Sequence, residues 1–378
     1  MRLPRNAHLW LPGLLRSQRR RQDASVDVPT DVLFCVADHF EPAHGSPGLE
    51  VERARVRAWR EQLPKLAAPF RDADGRPPRH TFFFPAEQYR REHLDALGLL
   101  CQAGLAEVEV HLHHDHDTSD GLRSRLLEFR HRLFREHGLL TTTPGHDVAY
   151  GFIHGNWALD NARPDGRFCG VNDEITILRE TGCYADFTQP AAPDVSQTLT
   201  VNSLYYAVDD PVRPRSHDRG VEAHVGRPLR CPGLLLVQGP IALDWERRIL
   251  GIVPGLDVGA IDGSPGYPPT LRRFRRWVDA RIAVRGRPEW VFVKVHTHGA
   301  PERNASTLLG PRMAALHHAI GREFNDGRRY RLHYVTAREL VNIVRAAEAD
   351  EPGNPGDYRD YVLPPPQVAG VHRRVRVG

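Results

Sequence analysis

Apolar runs of strand length alternate with helix-forming stretches along most of this chain. That alternation constrains the fold more than any single motif. Residues 31–37 (DVLFCVA) form a run suited to a buried strand, and 49–70 are rich in helix formers. Residues 80–84 (HTFFF) read as a second strand and 87–103 as a second helix. Residues 107–113 (EVEVHLH) alternate strictly, the period of a strand, before a helix over 121–136 capped by Thr118 or Ser119. Strands are expected again at 149–154, 184–187, 234–237 and 290–296, and helices at 173–181 (ended by Gly182), 307–323 and 337–347. Such alternation implies an α/β fold, a parallel sheet or barrel flanked by helices. Residues 190–232, richer in Pro, Ser and Asp, read as an insertion. Residues 1–30 read as an N-terminal extension, 31–348 as the main body and 349–378 as a loose tail.

In folds of this class the active site gathers at the C-terminal ends of the strands. Residues able to do chemistry collect at those positions here. The first strand ends in Asp38-His39-Phe40-Glu41, the third in HLHHDHD, and the 149–154 strand in His154-Gly155-Asn156-Trp157. The strand at 184 ends in Asp186, and the 290–296 strand in His296-Thr297-His298. Residues two apart on a strand share a face, so His111 and His113 point the same way, with His114 and His116 beyond them on the turn. Imidazole suits zinc, and carboxylates widen the choice to manganese and iron. Asp38, an acid directly after a buried apolar run, needs a partner or an ion. His39 is open between ligand, supporting group and surface residue. His296 and His298 share a face, and either can act as a general acid. Trp157 beside Asn156 and Asp160 suits a sugar site, the ring stacking on a sugar face while polar groups bind hydroxyls.

The formal charge is only +4 over 378 residues, from scattered arginines, so a nucleic-acid partner is not expected. Cys35, Cys101, Cys169, Cys183 and Cys231 are odd in number and contain no CxxC pair. They imply a reducing, cytoplasmic setting rather than a disulfide framework. The N-terminal segment, interrupted by Pro12 and followed by Arg19, Arg20 and Arg21, lacks a secretory pattern; weak peripheral contact with a membrane is the most it suggests. No GxSxG elbow or phosphate-binding GxxxxGK[ST] loop occurs.

The order of these motifs resembles the polysaccharide deacetylase family, which includes the nodulation-factor chitooligosaccharide deacetylases, over residues 31–347. LFCVADHF resembles that family's first motif, which puts Asp38 on its metal ligand and Cys35 where its base usually stands. The strand into HLHHDH resembles the second motif, although His111 and His113 are followed four residues later by Asp115 and Asp117. HGNW replaces the third motif. RETGCYADF puts Asp186 near the fourth, and VFVKVHTH matches the last. The resemblance implies a distorted (β/α) barrel and a divalent metal, zinc first, with manganese, iron, cobalt or nickel as alternatives.

The expected function is therefore removal of an acetyl group from an amino sugar, glycan or lipid-linked glycan, in exopolysaccharide or lipopolysaccharide assembly. Asp38 and two of His111, His113, His114 and His116 would hold the metal. His298 or His296 would serve as acid, and Glu41, His39 or Asp186 as base; His39, His154, Asn156, Trp157 and Asp160 would face the sugar. The alternatives are another hydrolase on the same barrel (a glycosidase or C–N amidohydrolase) and a glycan-binding protein that has lost its base.

Overall fold

The structure, a computed structural model, describes residues 4–23, 25, 27–145, 147–227, 232–249 and 251–368. Its strands are β1 (Thr30–His39), β2 (His80–Pro85), β3 (Ala106–Leu112), β4 (Thr141–Thr142), β5 (Val148–His154), β6 (Cys183–Asp186), β7 (Leu204–Ala207), β8 (Val221–Glu222), β9 (Leu234–Val237), β10 (Ala242–Ile249), β11 (Val253–Asp257), β12 (Trp290–Thr297) and β13 (Tyr330–Tyr334). Its α-helices are α1 (Ala7–Arg20), α2 (Leu49–Ala67), α3 (Arg91–Gln102), α4 (Ser119–His131), α5 (Glu174–Glu180), α6 (Leu271–Asp279), α7 (Glu302–Leu308), α8 (Pro311–Glu323) and α9 (Ala337–Glu348).

Eleven strands form one sheet: nine follow the order β12-β1-β2-β3-β5-β6-β9-β7-β8, β13 also pairs with β1, and β4 with β5. From β12 to β9 every neighbour is parallel. β1 is unusual in its partners. β12 runs along its whole length on one side; on the other, β13 takes residues 30–34 and β2 takes 37–39. Parallel strands covered on both faces need apolar side chains on both, which is why β1 reads as a continuous apolar run.

The two-residue period of a strand sorts side chains between two cores. Val32, Phe34 and Val36 of β1, Val108 and Val110 of β3, Phe152 of β5 and Val291, Val293 and Val295 of β12 face the surrounding helices. There they meet Trp59, Leu97, Leu122, Ile177, Trp277 and Leu316. Leu33, Cys35 and Ala37 face the opposite way, into a core with Phe83, Ile153, Phe292 and the α9 residues Leu340, Val341 and Val344. Below, these are the outer and inner faces. Thr118 caps α4 by accepting from the Gly121 amide, and a Thr336/Glu339 capping box starts α9.

Several expectations change. The segment over 190–232, expected as an insertion, carries β7 and β8 and extends the main sheet: β7 pairs antiparallel with β9, and β8 with β7. The helix expected over 307–323 is two, α7 and α8, separated around Gly310, whose added Cβ would meet the Ser306 carbonyl at 2.2 Å. The tail is not loose up to residue 368. Arg359 is buried and ion-paired to Asp72 and Asp74, and Asn342 and Arg338 hold the Leu363 carbonyl. The rest of the expected tail, and Cys231, lie outside the described residues. The N-terminal extension is helix α1, with Trp10 and Leu14 in a small third core with Val201, Ile241 and Leu256. Among the described residues, no helix is long and apolar enough to cross a membrane.

Candidate metal centre

The inner face gathers its histidines at the C-terminal strand ends. His39 continues the Leu33, Cys35, Ala37 row of β1. His111 and His113 continue Glu107 and Glu109 of β3, and His296 and His298 follow Lys294 of β12. Glu41 lies just past β1, and its carboxylate is the hub. Oε1 lies 3.4 Å from His111 Nε2, 3.8 Å from His113 Nε2 and 3.7 Å from His298 Nε2. Oε2 is 3.1 Å from His44 Nδ1. Two overlapping triads share Glu41: one with His111 and His113, the other with His39 and His298. In each, one potential ligand atom per residue lies within 4.8 Å of the others.

The far sides of two rings fix which nitrogen faces Glu41. His111 Nδ1 donates to the Ile153 carbonyl at 2.8 Å, and His113 Nδ1 to Glu87 Oε1 at 2.5 Å. In both, Nε2 is the nitrogen turned towards Glu41, the arrangement that supporting hydrogen bonds give metal-binding histidines. His39 Nε2 and His111 Nε2 are buried without hydrogen-bond partners. Buried polar atoms are normally satisfied, so these point to a missing ligand.

Charge follows the same pattern. Burial opposes ionisation of Glu41, but the imidazoles around it outweigh burial and hold its carboxyl well below the usual range. For His113, burial opposes the charge, and the Glu87 hydrogen bond and the Glu41 charge still raise its pKa. Burial lowers both His39 and His298; the neighbouring His298 lowers His39 further, whereas at His298 the Glu41 charge opposes the fall without cancelling it, so both rest neutral. Neutral imidazole and ionised carboxylate are the forms that bind a divalent cation: Glu41, His39 and His298 already hold them, and His113 gives up a proton to do so.

Beside the cluster opens a cavity of about 800 Å³, lined by Trp157, His296, His298, Pro190, Ala191, Tyr267 and others. Asn156 and Trp157 both have φ of 55°. Asn tolerates the left-handed region, whereas a Trp held there costs on the order of 1–3 kcal/mol and marks an over-determined site. The indole lies 5.9 Å from the His298 ring and 6.2 Å from the His39 ring. Gly155 is required here: a Cβ would sit 2.3 Å from His113 Cδ2.

Not every expected site residue joins. Asp38 lies on the outer face, in register with Val36 and Phe34. Its Oδ2 accepts from His80 Nε2 at 2.9 Å and its Oδ1 from the Gly299 amide at 2.6 Å, so Glu41 and not Asp38 is the acid of the cluster. His116 points outward, its side chain 79 % exposed. His114, beyond the strand, turns to the outer face, where it meets His154. Asp186 is engaged by the Thr188 amide and hydroxyl, and burial raises its pKa to about 7. Asp160 is buried and accepts from the Ser216 amide, and Asn156 is exposed, so neither lines the cavity. Cys35 is buried with its thiol pushed up to about 12, again by burial. Sequence reasoning passes over Glu87, although it too closely follows a strand end, that of β2.

No protein-family model matches the chain, and no curated protein matches it. Buried His/Glu and His/Cys/Glu clusters that can hold a metal ion are therefore a finding of the geometry alone.

Proposed function

We propose that this protein is a metal-dependent hydrolase of the polysaccharide-deacetylase type, removing an acetyl group from an amino sugar or glycan. The observation that carries the reading is the convergence of three imidazole Nε2 atoms on Glu41 Oε1 beside an open cavity. Catalytic metal sites keep one side open in this way. A distorted (β/α) barrel is the fold this reading implies. In its support, Lys294 of β12 donates to the Phe187 and Gln189 carbonyls, and residues 259–261 pair with the end of β12 at His296.

Glu41, His111 and His113 would hold the ion, zinc by donor type. When bound, such an ion supplies a Lewis acid for the carbonyl and a bound water of lowered pKa. His298, neutral at rest and 30 % exposed on the cavity side, takes the proton from the attacking water and returns it to the leaving nitrogen. His39 packs behind it with ring centroids 4.6 Å apart and keeps that ring in place. Trp157 offers the apolar plane for a sugar ring.

The test is acetate release from acetylated chitooligosaccharides by chelated and metal-restored protein. Release that disappears with chelation, returns with zinc and is absent in Glu41→Gln supports the reading. No release under zinc, manganese, iron, cobalt or nickel overturns it.

A further inference from the structure

On the outer face, behind the first centre, four more buried donors meet. His114 follows β3, His154 ends β5, Cys169 lies in the loop after it and Glu174 opens α5. His154 and Glu174 are wholly buried, as is the Cys169 side chain. Glu174 Oε1 is 3.3 Å from His114 Nε2 and 3.5 Å from His154 Nε2, and Glu174 Oε2 is 3.4 Å from Cys169 Sγ. One potential ligand atom from each residue lies within 4.8 Å of the other three. Tetrahedral zinc, with bonds of about 2.0–2.3 Å, sets its donors about 3.3–3.8 Å apart.

The surroundings prepare each donor. His154 Nδ1 donates to the Gly155 carbonyl at 2.6 Å, leaving Nε2 buried and without a partner, aimed at Glu174. His114 Nδ1 lies 3.2 Å from Asp117 Oδ2, the carboxylate–histidine pairing that orients metal ligands. Cys169 Sγ accepts from the amides of Asn161 (3.3 Å) and Val171 (3.5 Å), two contacts that a metal-bound thiolate would keep. Two neutral imidazoles, one carboxylate and one thiolate carry a charge of −2, which a divalent cation cancels.

We propose that His114, His154, Cys169 and Glu174 form a second, closed metal centre that binds zinc and has a structural role. Binding breaks the Cys169 S–H bond and releases that proton to solvent. Four protein donors with no open side are the mark of a structural rather than a catalytic site. The centre staples both ends of the loop that carries Trp157. It also fixes His114, the neighbour of His113, so it sets the geometry of the first centre without touching substrate.

The full-length chain produced in cobalt-supplemented medium tests this. Cobalt bound by thiolate gives a near-ultraviolet charge-transfer band, and the first centre contains no cysteine, so the band reports the second alone. The wild type is expected to show the band, and Glu41→Gln to keep it. Cys169→Ala is expected to lose the band together with one equivalent of metal. Zinc-edge X-ray absorption of the wild type covers the case in which Cys169→Ala fails to fold; a sulfur shell at about 2.3 Å is expected, averaging about half a sulfur per zinc when both centres are filled. A folded wild type without the band or without sulfur at zinc, or a band that survives in Cys169→Ala, overturns the proposal.

Discussion

Glu87→Ala isolates the support of one histidine from the histidine itself. Glu87 touches the first centre only through His113, accepting from Nδ1 at 2.5 Å, and its side chain is 37 % exposed. Its loss leaves a donor that water can reach, so the metal-free fold should change by no more than about 0.5 kcal/mol. Metal binding should change far more. Removing a partner that orients a ligand lowers affinity about 10–100-fold, or about 1.4–2.7 kcal/mol. With free zinc at 100 times the wild-type Kd, the ion stabilises wild type by about 2.7 kcal/mol. A variant bound 100-fold more weakly keeps only about 0.4 kcal/mol of that, by the same relation. The assay is paired denaturation with and without zinc, alongside competition with a chromophoric chelator. A variant with wild-type affinity would refute the orienting role. A variant equally destabilised with and without metal would show that Glu87 serves the fold alone.

Three further outcomes follow from the geometry. Asp38→Ala leaves His80 Nε2 and the Gly299 amide without their acceptor, so stability should fall by about 3 kcal/mol while metal content, read by elemental analysis, stays at the wild-type value. Gly299→Ala should cost about 1–3 kcal/mol in chemical denaturation, because its Cβ would lie 2.1 Å from Asp38 Oδ2 and 2.7 Å from the Trp59 ring. Burial lifts the Glu109 pKa from 4.5 to about 8, against the Tyr184 hydroxyl and Gly151 amide that favour its charge. The folded state therefore holds an extra proton between those values, and stability is lost as pH rises through that window. Denaturation midpoints across it should fall more steeply for wild type than for Glu109→Gln; equal slopes would remove Glu109 from the account.

Much of this was legible in the chain. The central strands announce themselves because strands buried on both faces must be apolar throughout. The gathering of histidines at strand ends survives in the structure. The sorting of those histidines was only partly drawn out. The period of two that groups His111 with His113 also separates His39 from Asp38, and puts His154 on the face of Phe152. Applied to every strand, it takes Asp38 out of the metal-ligand set and His154 out of the sugar-facing set, and puts His39 beside His111. Other features leave no periodic trace. Cys169 and Glu174 are single residues in and after a loop, brought to His114 and His154 by the chain path alone. β13 is only Tyr-Arg-Leu-His-Tyr, preceded by Arg328 and Arg329 and with Arg331 and His333 inside it, so it reads as no strand. Its charges are admissible because Asp31 takes both Arg331 and His333.

The placement of β1 bears on how this protein is made. The ribosome delivers β1 early, yet its partners β12 and β13 are among the last strands to emerge. Until then this largely apolar strand has only β2, along its final three residues, to pair with. A nascent chain must keep that edge from foreign strands for most of its synthesis, since an unpaired apolar strand is a template for aggregation. Chains cut before residue 330 should therefore accumulate in chaperone-bound or insoluble form, because β1 is fully paired only once β12 and β13 have been made.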